Sequence, residues 1–308
     1  MKKFVPVVMT SVLILPFAGA VQADGPIDGS VYGKIYMSAL KSETNGVSDT
    51  SMDASNSRLG FKGKTKLEND MAMVYQLEYG VEPTDSLATS TSIFSQRNAF
   101  LGLATNYGTL FGGTHDTPLK MAQGKIDQFN DLPVGDIKSL VNGEVRANNV
   151  IAYTSPSFKN VSIMALSTQA EGTGDNAASF SVTYDANGIC LAAAQDNKVA
   201  SLDTSRFVAE YKADDFTVGA LHSSSKPSAG GSSNSSNLVS ASYTIDKFKL
   251  KAQYGTGDEK GAGGKLAGLG FDYLLGSKSR IYVYTAKYSN DDSSKTLKAA
   301  AVGLEHNF

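Results

Sequence analysis

The chain has 308 residues, with 28 Lys and Arg against 30 Asp and Glu, and a formal net charge of −2 at pH 7. This near-neutral balance lacks the excess of basic residues that is typical of proteins that bind nucleic acid. A lone cysteine, Cys190, rules out an internal disulfide framework. No stretch after the N-terminus reaches the 18 or more consecutive apolar residues that indicate a transmembrane helix.

The first residues have the three-part pattern of a secretory signal peptide. Two lysines follow the first methionine, an apolar stretch covers residues 4–17, and small residues lead to an A-x-A-like site at Val21-Gln22-Ala23. The apolar stretch is shorter than the roughly 20 residues of a retained membrane anchor. We therefore expect residues 1–23 to be a cleaved signal peptide and residues 24–308 to form a single exported domain.

Apolar and polar residues then alternate with a period of two almost to the end of the chain. Alternating segments of about ten residues, separated by turn residues, are the signature of a membrane-spanning β-barrel. The sixteen predicted strands cover residues 28–40, 57–67, 70–82, 96–104, 108–114, 148–155, 160–169, 179–186, 188–195, 205–212, 216–223, 237–244, 247–255, 266–275, 279–288 and 296–308. An even number fits a closed antiparallel barrel, and sixteen strands are enough to enclose an aqueous channel.

A soluble β-sandwich also alternates, so the barrel needs further support. The predicted strands are long, and Tyr and Phe recur near their ends, as the aromatic girdles of a membrane barrel require. The last strand is the clearest: Val302, Leu304 and Phe308 share one face, while Ala301 and Glu305 lie on the other. The first set predicts a lipid-facing stripe and the second a wall of the lumen.

The connections between the predicted strands alternate in length. Short turns such as Asn106-Tyr107 and Asn187-Gly188 fit the periplasmic side of an outer membrane. Long polar connections over residues 42–55, 83–95 and 223–236 fit the outside, and we expect the Ser-rich stretch 223–236 to be a mobile loop.

One connection is too long to be a simple loop, because more than 30 residues separate Thr114 from Ala147. Loops beyond about 15 residues in a compact protein are usually functional or disordered. This one carries many apolar residues and five carboxylates, which belong to Asp116, Asp127, Asp131, Asp136 and Glu144. Apolar anchors with scattered carboxylates predict a segment that folds against the inner wall of the barrel.

Basic residues are predicted on the opposite wall. Arg58 and Lys62 share one face of the second strand, Lys34 has the inward position on the first, and Arg97 begins the fourth. A basic wall facing an acidic loop would orient dipolar solutes at a narrow point, since charged rings and pore diameter set channel selectivity. The alternative, that these are solvated surface charges, stays open.

Several longer motifs resemble a known family. The stretch "SRLGFKGKTKLENDMAMVYQLEYG", then "RNAFLGL" before "GTLFGGTHDTPLK", then "NNVIAYTSPSF" and the ending "VGLEHNF" occur in this order. They resemble the trimeric general porins of the Gram-negative outer membrane, in the neisserial and proteobacterial branch. The similarity covers essentially the whole mature chain.

The resemblance implies a 16-stranded barrel with the third loop folded into the lumen, forming a water-filled channel for passive diffusion of ions and small hydrophilic solutes. In the family, basic residues on early strands oppose acidic residues on that loop, and Lys34, Arg58 and Arg97 match the basic cluster. The strand after the loop often carries another basic residue, whereas here the nearest is Arg146, which leaves anion preference open. The terminal aromatic, Phe308, matches the signal that the barrel-insertion machinery reads.

The resemblance also implies a homotrimer that is surrounded by outer-membrane lipid and lipopolysaccharide. Candidate interfaces are the first and last strands and the early strands with Gly102, Gly112 and Gly113, because small residues allow close approach. We expect no cofactor, no metal and no nucleic-acid partner.

Three alternatives remain to be weighed. An outer-membrane hydrolase is disfavoured: His115 and Asp116 are adjacent, neighbours on a strand point to opposite faces, and no GxSxG, HExxH, CxxC or phosphate-loop motif is present. A solute-selective channel of the same fold stays open, because Tyr32 and Tyr36 have inward positions and form a short aromatic track. A structural or adhesive barrel is disfavoured by the large acidic loop.

Overall fold

The computed structural model of this chain describes residues 28–84, 93–170, 176–291 and 295–308. The expected signal peptide lies outside the described residues, and so does part of the expected connection over 83–95. Among the described residues, no helix is long and apolar enough to cross a membrane.

Seventeen β-strands make up most of the described chain. In order they are β1 (Gly29–Thr44), β2 (Val47–Asp53), β3 (Ser57–Lys66), β4 (Ala72–Val81), β5 (Phe94–Thr105), β6 (Gly108–Asp116), β7 (Arg146–Thr154), β8 (Val161–Thr168), β9 (Ala178–Ala186), β10 (Ile189–Val199), β11 (Leu202–Lys212), β12 (Phe216–Pro227), β13 (Asn234–Ile245), β14 (Phe248–Gly257), β15 (Gly264–Leu274), β16 (Ser279–Ser289) and β17 (Thr296–Asn307). Both β2 and β3 pair with β1, so together they occupy one position in the sheet. The sheet therefore has the sixteen positions that the sequence predicted.

The last strand closes the sheet onto the first. β17 pairs with β1 in antiparallel register, from Lys34 opposite Asn307 to Thr44 opposite Leu297. Beyond that ladder, Gly33 and Phe308 exchange two backbone hydrogen bonds of 3.2 and 3.1 Å. Among the described strands, each of the sixteen positions has a neighbour on both sides, so the structure is a closed antiparallel barrel.

The two faces of the barrel wall differ in the way that the alternation predicts. Val302 and Leu304 on β17 are each 51% exposed, whereas Ala301, the residue before Val302, is 6% exposed. The same alternation recurs along β15, where Leu269 is 61% exposed and Leu266 is fully buried. We refer to the exposed side as the outer face and to the buried side as the inner face.

Two predicted loops are instead extensions of strands. The connection predicted over 42–55 is a hairpin whose turn, Asn45-Gly46, has φ values of 51° and 87°, and Asn-Gly is a strong signal for such a turn. The stretch predicted as a mobile loop over 223–236 is mostly strand, since β12 runs to Pro227 and β13 begins at Asn234. Both segments are largely polar, so an alternation of apolar and polar residues does not mark them as strands.

The two ends of the barrel carry different connections. Both Gly29, at the start of β1, and Phe308, after β17, lie at the end that also carries the short turns Asn106-Tyr107 and Asn187-Gly188. The opposite end carries the Asn45-Gly46 hairpin and the long segment 117–145, which we call loop 3.

Candidate functional site

Loop 3 has local structure of its own. A four-residue helix, α1 (Pro118–Met121), starts after Thr117, whose side chain accepts a hydrogen bond from the backbone N–H of Lys120. A 3-10 turn (Ile137–Ser139) starts in the same way at Asp136. Such side-chain caps satisfy backbone donors that a helix start leaves without partners, so the loop is an ordered element.

Apolar side chains of loop 3 pack against the inner face of the barrel. Leu119, Ile126, Ile137 and Leu140 are all fully buried, in one cluster with inner-face residues of β10 to β13, β15 and β16, such as Leu238. Burial of one such side chain is worth about 1.5–3 kcal/mol. These contacts hold the loop on the wall formed by the second half of the chain.

A second apolar cluster holds the tip of the loop. Phe129 and Leu132 lie against Tyr36, Tyr282 and Tyr284 of strands β1 and β16. The Tyr36 and Tyr282 rings are stacked, with centroids 5.7 Å apart, and both residues are fully buried. The inner-face tyrosines are therefore covered by the loop.

Glycines on the inner face make room for the loop. A Cβ at Gly268 would lie 2.9 Å from the ring of Phe129, and one at Gly270 would lie 3.0 Å from it. A Cβ at Gly255 would lie 2.4 Å from Leu140. The close approach of the loop therefore needs residues without a side chain at these strand positions.

Asp131 joins the tip of loop 3 to the basic residues of the early strands. Its Oδ2 atom lies 2.7 Å from Nζ of Lys34 and 3.3 Å from Nη1 of Arg58. Burial by itself would raise the pKa of Asp131, but Lys34 and Arg58 outweigh it and lower the pKa to about 2. The carboxylate therefore stays charged at any physiological pH.

The pairing continues along the inner wall from this point. Nζ of Lys34 also lies 3.8 Å from the carboxylate of Glu305. Glu305 in turn accepts a 2.9 Å hydrogen bond from Arg280. Arg280 and Lys251 both contact Asp272, at 2.7 and 3.0 Å. Basic and acidic groups alternate along this row, which crosses from β14 to β1 and then reaches the loop.

Two other predicted basic residues lie beside Glu78 and Tyr32 on the early strands. The guanidinium of Arg97 pairs with the carboxylate of Glu78 on the adjacent strand. The hydroxyl of Tyr32 donates to the same carboxylate at 2.9 Å, and Nζ of Lys62 lies 4.6 Å from the centre of the Tyr32 ring. Arg97 and Lys62 thus form a second charged group on the early strands.

The predicted carboxylate at the start of the loop, Asp116, pairs with nearby basic residues. Asp116 lies 3.0 Å from Lys120 and 3.1 Å from Arg146, so it joins the two strands from which the loop departs and to which it returns. Arg146 also donates a 2.7 Å hydrogen bond to Asn98. This group fixes the base of loop 3.

Asp127 and Asp136 bind backbone N–H groups of the loop itself. Asp127 accepts from Phe129 and Ile137, both at 3.0 Å, while Asp136 accepts from Asp131 and Lys138. Burial and the neighbouring Asp136 raise the pKa of Asp127 well above its ordinary value. Both carboxylates serve the shape of the loop.

Arg206 is a residue that the sequence analysis missed. Its side chain is fully buried on β11 and donates to the carbonyls of Leu119 and Asn142, at 3.3 and 2.7 Å, and to Glu144 at 2.6 Å. It therefore ties the outgoing and returning stems of loop 3 to each other. Its inward position was readable from the alternation with Phe207, but its partners lie 62 or more residues away.

A cavity of about 620 Å³ lies between the loop and the wall. Six of its lining residues are basic, namely Lys34, Arg58, Lys125, Lys212, Lys249 and Arg280. Six are acidic, namely Asp127, Asp131, Glu210, Asp214, Asp215 and Glu305. The others are Gln, Asn, Ser, Thr and one Gly, so none of the residues described as lining this cavity is aliphatic or aromatic.

Comparison with known proteins gives the family. The family model described as Gram-negative porin matches residues 10–293, which is most of the chain. The chain belongs to this porin family. Its place is therefore the Gram-negative outer membrane, as the sequence predicted.

Two curated relatives of this porin are neisserial. The major outer membrane protein P.IB of Neisseria gonorrhoeae is 28% identical over 130 residues, which cover 41% of this chain and 36% of the relative. The protein of the same name from Neisseria sicca is 28% identical over 158 residues, covering 47% of this chain and 42% of the relative. The matches thus span less than half of the length of these relatives.

Solved porin structures share the fold over nearly the whole chain. An anion-selective porin from Comamonas acidovorans has a TM-score of 0.73 at 20% identity, and the match covers 91% of this chain and 99% of that one. OmpF of Salmonella typhi, in complex with daunomycin, has a TM-score of 0.72 at 17% identity, covering 91% and 97%. At these identities the likeness is one of fold.

Among the described residues, no three His, Cys, Asp or Glu side chains are grouped in a way that would hold a metal ion. His115, considered for catalysis, contacts the rings of Phe100 and Phe111 and bonds through Nδ1 to the backbone carbonyl of Asp116. The His115 ring therefore packs against aromatic side chains in this porin.

Proposed function

We propose that this porin forms a water-filled channel through which ions and small hydrophilic solutes diffuse passively. The observation that carries the proposal is the cavity beside loop 3, whose described lining is wholly polar or charged apart from one glycine. A binding pocket for a small ligand is mostly apolar with a few polar groups, which is the opposite composition. Membership of a porin family also argues against the hydrolase alternative.

We further propose that loop 3 narrows the channel. Its apolar side lies on the inner face of the second half of the barrel, while Asp131 at its tip contacts Lys34 and Arg58 on the early strands. Arg97 and Lys62 continue the charged surface beyond the tip. These side chains, in contrast to Asp127 and the other carboxylates that bind the loop backbone, are the candidates for a role in permeation.

Selectivity between cations and anions is expected to be weak. The cavity has six basic and six acidic lining residues, and several of them are paired with each other. Screening by salt further reduces the effect of any one charge on a passing ion, since the Debye length is about 8 Å at physiological ionic strength.

A solute-selective channel finds less support. The inner-face aromatic residues that would guide a sugar, Tyr36, Tyr282 and Tyr284, are at most 2% exposed beneath Phe129 of the loop. The hydroxyl of Tyr32 is engaged by Glu78. Of the two tyrosines of the short aromatic track, Tyr36 is thus covered by the loop, and Tyr32 is partly exposed with its hydroxyl held by Glu78.

We propose a homotrimer, as described for one structural relative, an in-vitro folded OmpT of Vibrio cholerae in trimer form. Of the three glycines named as interface candidates, only Gly112 lies on the outer face, opposite Leu101, which is 56% exposed. Gly102 alternates with Leu101 and Leu103, and Gly113 lies opposite the buried Val150, so both belong to the inner face.

The outer face of β5 to β7 is the better candidate for the interface. Gln96, Thr114 and Asn148 are linked there by hydrogen bonds of 3.1 and 3.2 Å. Such a polar row on a membrane-facing wall suits contact with another subunit more than contact with lipid tails, because polar groups in hydrocarbon are costly.

Planar-bilayer recording tests the channel proposal. Wild-type protein should give stable, ohmic conductance steps, and liposomes that contain it should swell at rates that fall smoothly with the size of the sugar. Saturation of the flux by one sugar, with competition by its relatives, would instead favour the solute-selective channel. Absence of conductance from correctly folded protein would contradict both.

A further inference from the structure

Four lysines form a basic cluster on the outer face of the barrel. Lys41, Lys265, Lys287 and Lys298 lie on β1, β15, β16 and β17, which are consecutive in the closed sheet. Each is exposed and alternates with buried inner-face neighbours. None of them faces the channel.

The register brings these lysines close together. Lys287 is directly opposite Lys298 on the neighbouring strand, and Lys41 is opposite Ala300, two residues from Lys298. Lys265 is opposite Ser289, two residues from Lys287. Residues directly opposite each other have Cβ atoms about 4.5–5.5 Å apart, and like charges in that relation destabilise a sheet.

The protein supplies little compensation for this charge. Glu43 lies 2.7 Å from Lys298 and is the one carboxylate that pairs with the cluster within the described parts of the chain. Four positive charges against one leave an excess of three on the outer face. We expect an anion from outside the protein to bind at such a cluster and to balance its excess positive charge.

The height of the cluster identifies those surroundings. Lys298 is ten residues before Phe308 on the same outer stripe. At a rise of about 3.4 Å per residue and a strand tilt of about 40°, the two levels are roughly 26 Å apart along the barrel axis. That distance matches the apolar band of an outer-membrane barrel, about 25 Å tall.

The side chains between the two levels are apolar. On the strands that carry the lysines, Leu269, Val283, Val302 and Leu304 are each at least 50% exposed on the outer face. The lysines thus stand at the membrane–water boundary, at the end of the barrel that carries loop 3. With short turns on the periplasmic side, this end faces the outer leaflet.

We propose that the four lysines form a binding site for the phosphate groups of the outer-leaflet glycolipid, lipopolysaccharide. A phosphate monoester carries a charge of about −1.5 to −2 and three strong acceptor oxygens, which suits a group of ammonium donors with an excess of three charges. The acyl chains of the same lipid would lie along the apolar stripe below. The site does not depend on what passes through the channel.

The test uses full-length protein refolded in detergent without lipopolysaccharide. Native mass spectrometry would count bound bisphosphorylated lipid A, with dephosphorylated lipid A as the second probe. The attraction between one lysine and an anionic membrane surface corresponds to about a fivefold change in binding affinity. We therefore expect Lys287→Ser to weaken binding of the phosphorylated lipid about fivefold and the double change with Lys298→Ser about 25-fold.

The matched control is Lys226→Ser. Lys226 is also exposed, but it lies on β12 with Asp203 opposite, so it has an acidic neighbour in the sheet. We expect this variant to bind both lipids as wild type does. Unchanged conductance would show that each variant is folded, because none of the lysines lines the channel.

Three results would overturn the proposal. The first is a double variant that binds phosphorylated lipid A as tightly as wild type. The second is competition by inorganic phosphate at the same concentration as by lipid A, which would make the site one for free anions. The third is loss of the trimer mass with unchanged affinity for lipid A, which would assign the cluster to a contact between subunits.

Discussion

Nζ of Lys34 lies 2.7 Å from Oδ2 of Asp131, so the tip of loop 3 is attached to the first strand by an ion pair. The lysine side chain is 6% exposed and the carboxylate 18%. The two groups that the sequence predicted on facing surfaces are therefore in direct contact, and their ion pair holds the tip of the loop.

Asp131→Asn is expected to loosen the tip of the loop. The change leaves the buried ammonium of Lys34 with Glu305, 3.8 Å away, as its remaining carboxylate, and an unpaired buried charge is costly. We expect higher conductance, more frequent fluctuations and a shift of the reversal potential toward anions. Single-channel recording under a salt gradient measures all three, and an unchanged trace would show that the contact does not shape the channel.

Arg58→Ser is expected to act mainly on selectivity. Arg58 is the more exposed partner of Asp131, with 27% of its side chain accessible. Its loss therefore removes positive charge from the lining of the cavity beside loop 3. The reversal potential at low ionic strength, where screening is weakest, should shift toward cations. Lys66→Ser, on the same strand but at its exposed end, serves as the control and should shift the potential less.

The attachment of the loop tip is expected to survive moderate acid. The pKa of Asp131 is lowered to about 2, against about 3.9 for a free aspartate. A lowered pKa contributes stability that is complete above the unfolded value and is lost as the pH falls through the folded one, here roughly 2–3 kcal/mol. Conductance should therefore not change through Asp131 between pH 7 and about pH 5, and a transition in that range that Asp131→Asn abolishes would contradict the assignment.

Arg206→Met is expected to free both stems of loop 3. Removal of one partner from a buried ion pair costs about 3–5 kcal/mol, and here it leaves Glu144 without its guanidinium. We expect earlier proteolysis within loop 3 and noisy conductance from a barrel that is still closed. Adding Glu144→Gln to the Met variant should restore part of the resistance to protease, whereas no recovery would mean that the carbonyl contacts of Arg206 dominate.

Phe308→Ala is expected to lower assembly while leaving conduction intact. The Phe308 ring lies over Gly33, where a Cβ would approach it to 2.5 Å, and the backbones of the two residues close the barrel. The amount of protein inserted into the outer membrane should fall, and the pores that do form should conduct normally. Normal insertion with altered conductance would reverse the assignment of Phe308 to assembly.

The sequence by itself determined the barrel. A period of two fixes which residues share a face, because successive side chains of a strand point to opposite sides. The alternation of Val302 and Leu304 with Ala301 therefore predicted the outer and inner faces of β17 correctly. It also placed Lys34 and Arg58 on the inner face. It did not place Gly102 and Gly113, which were expected at an outer interface and lie on the inner face.

Only the tertiary structure decided which charges on the inner face meet. Lys34 and Asp131 are 97 residues apart in the chain, and Arg206 and Glu144 are 62 apart. The alternation of residues predicts which side of a strand a residue faces, but it does not predict the path of a long loop across the barrel. That path depends on apolar burial and on the room that glycines such as Gly268 leave for Phe129, which are properties of several strands at once.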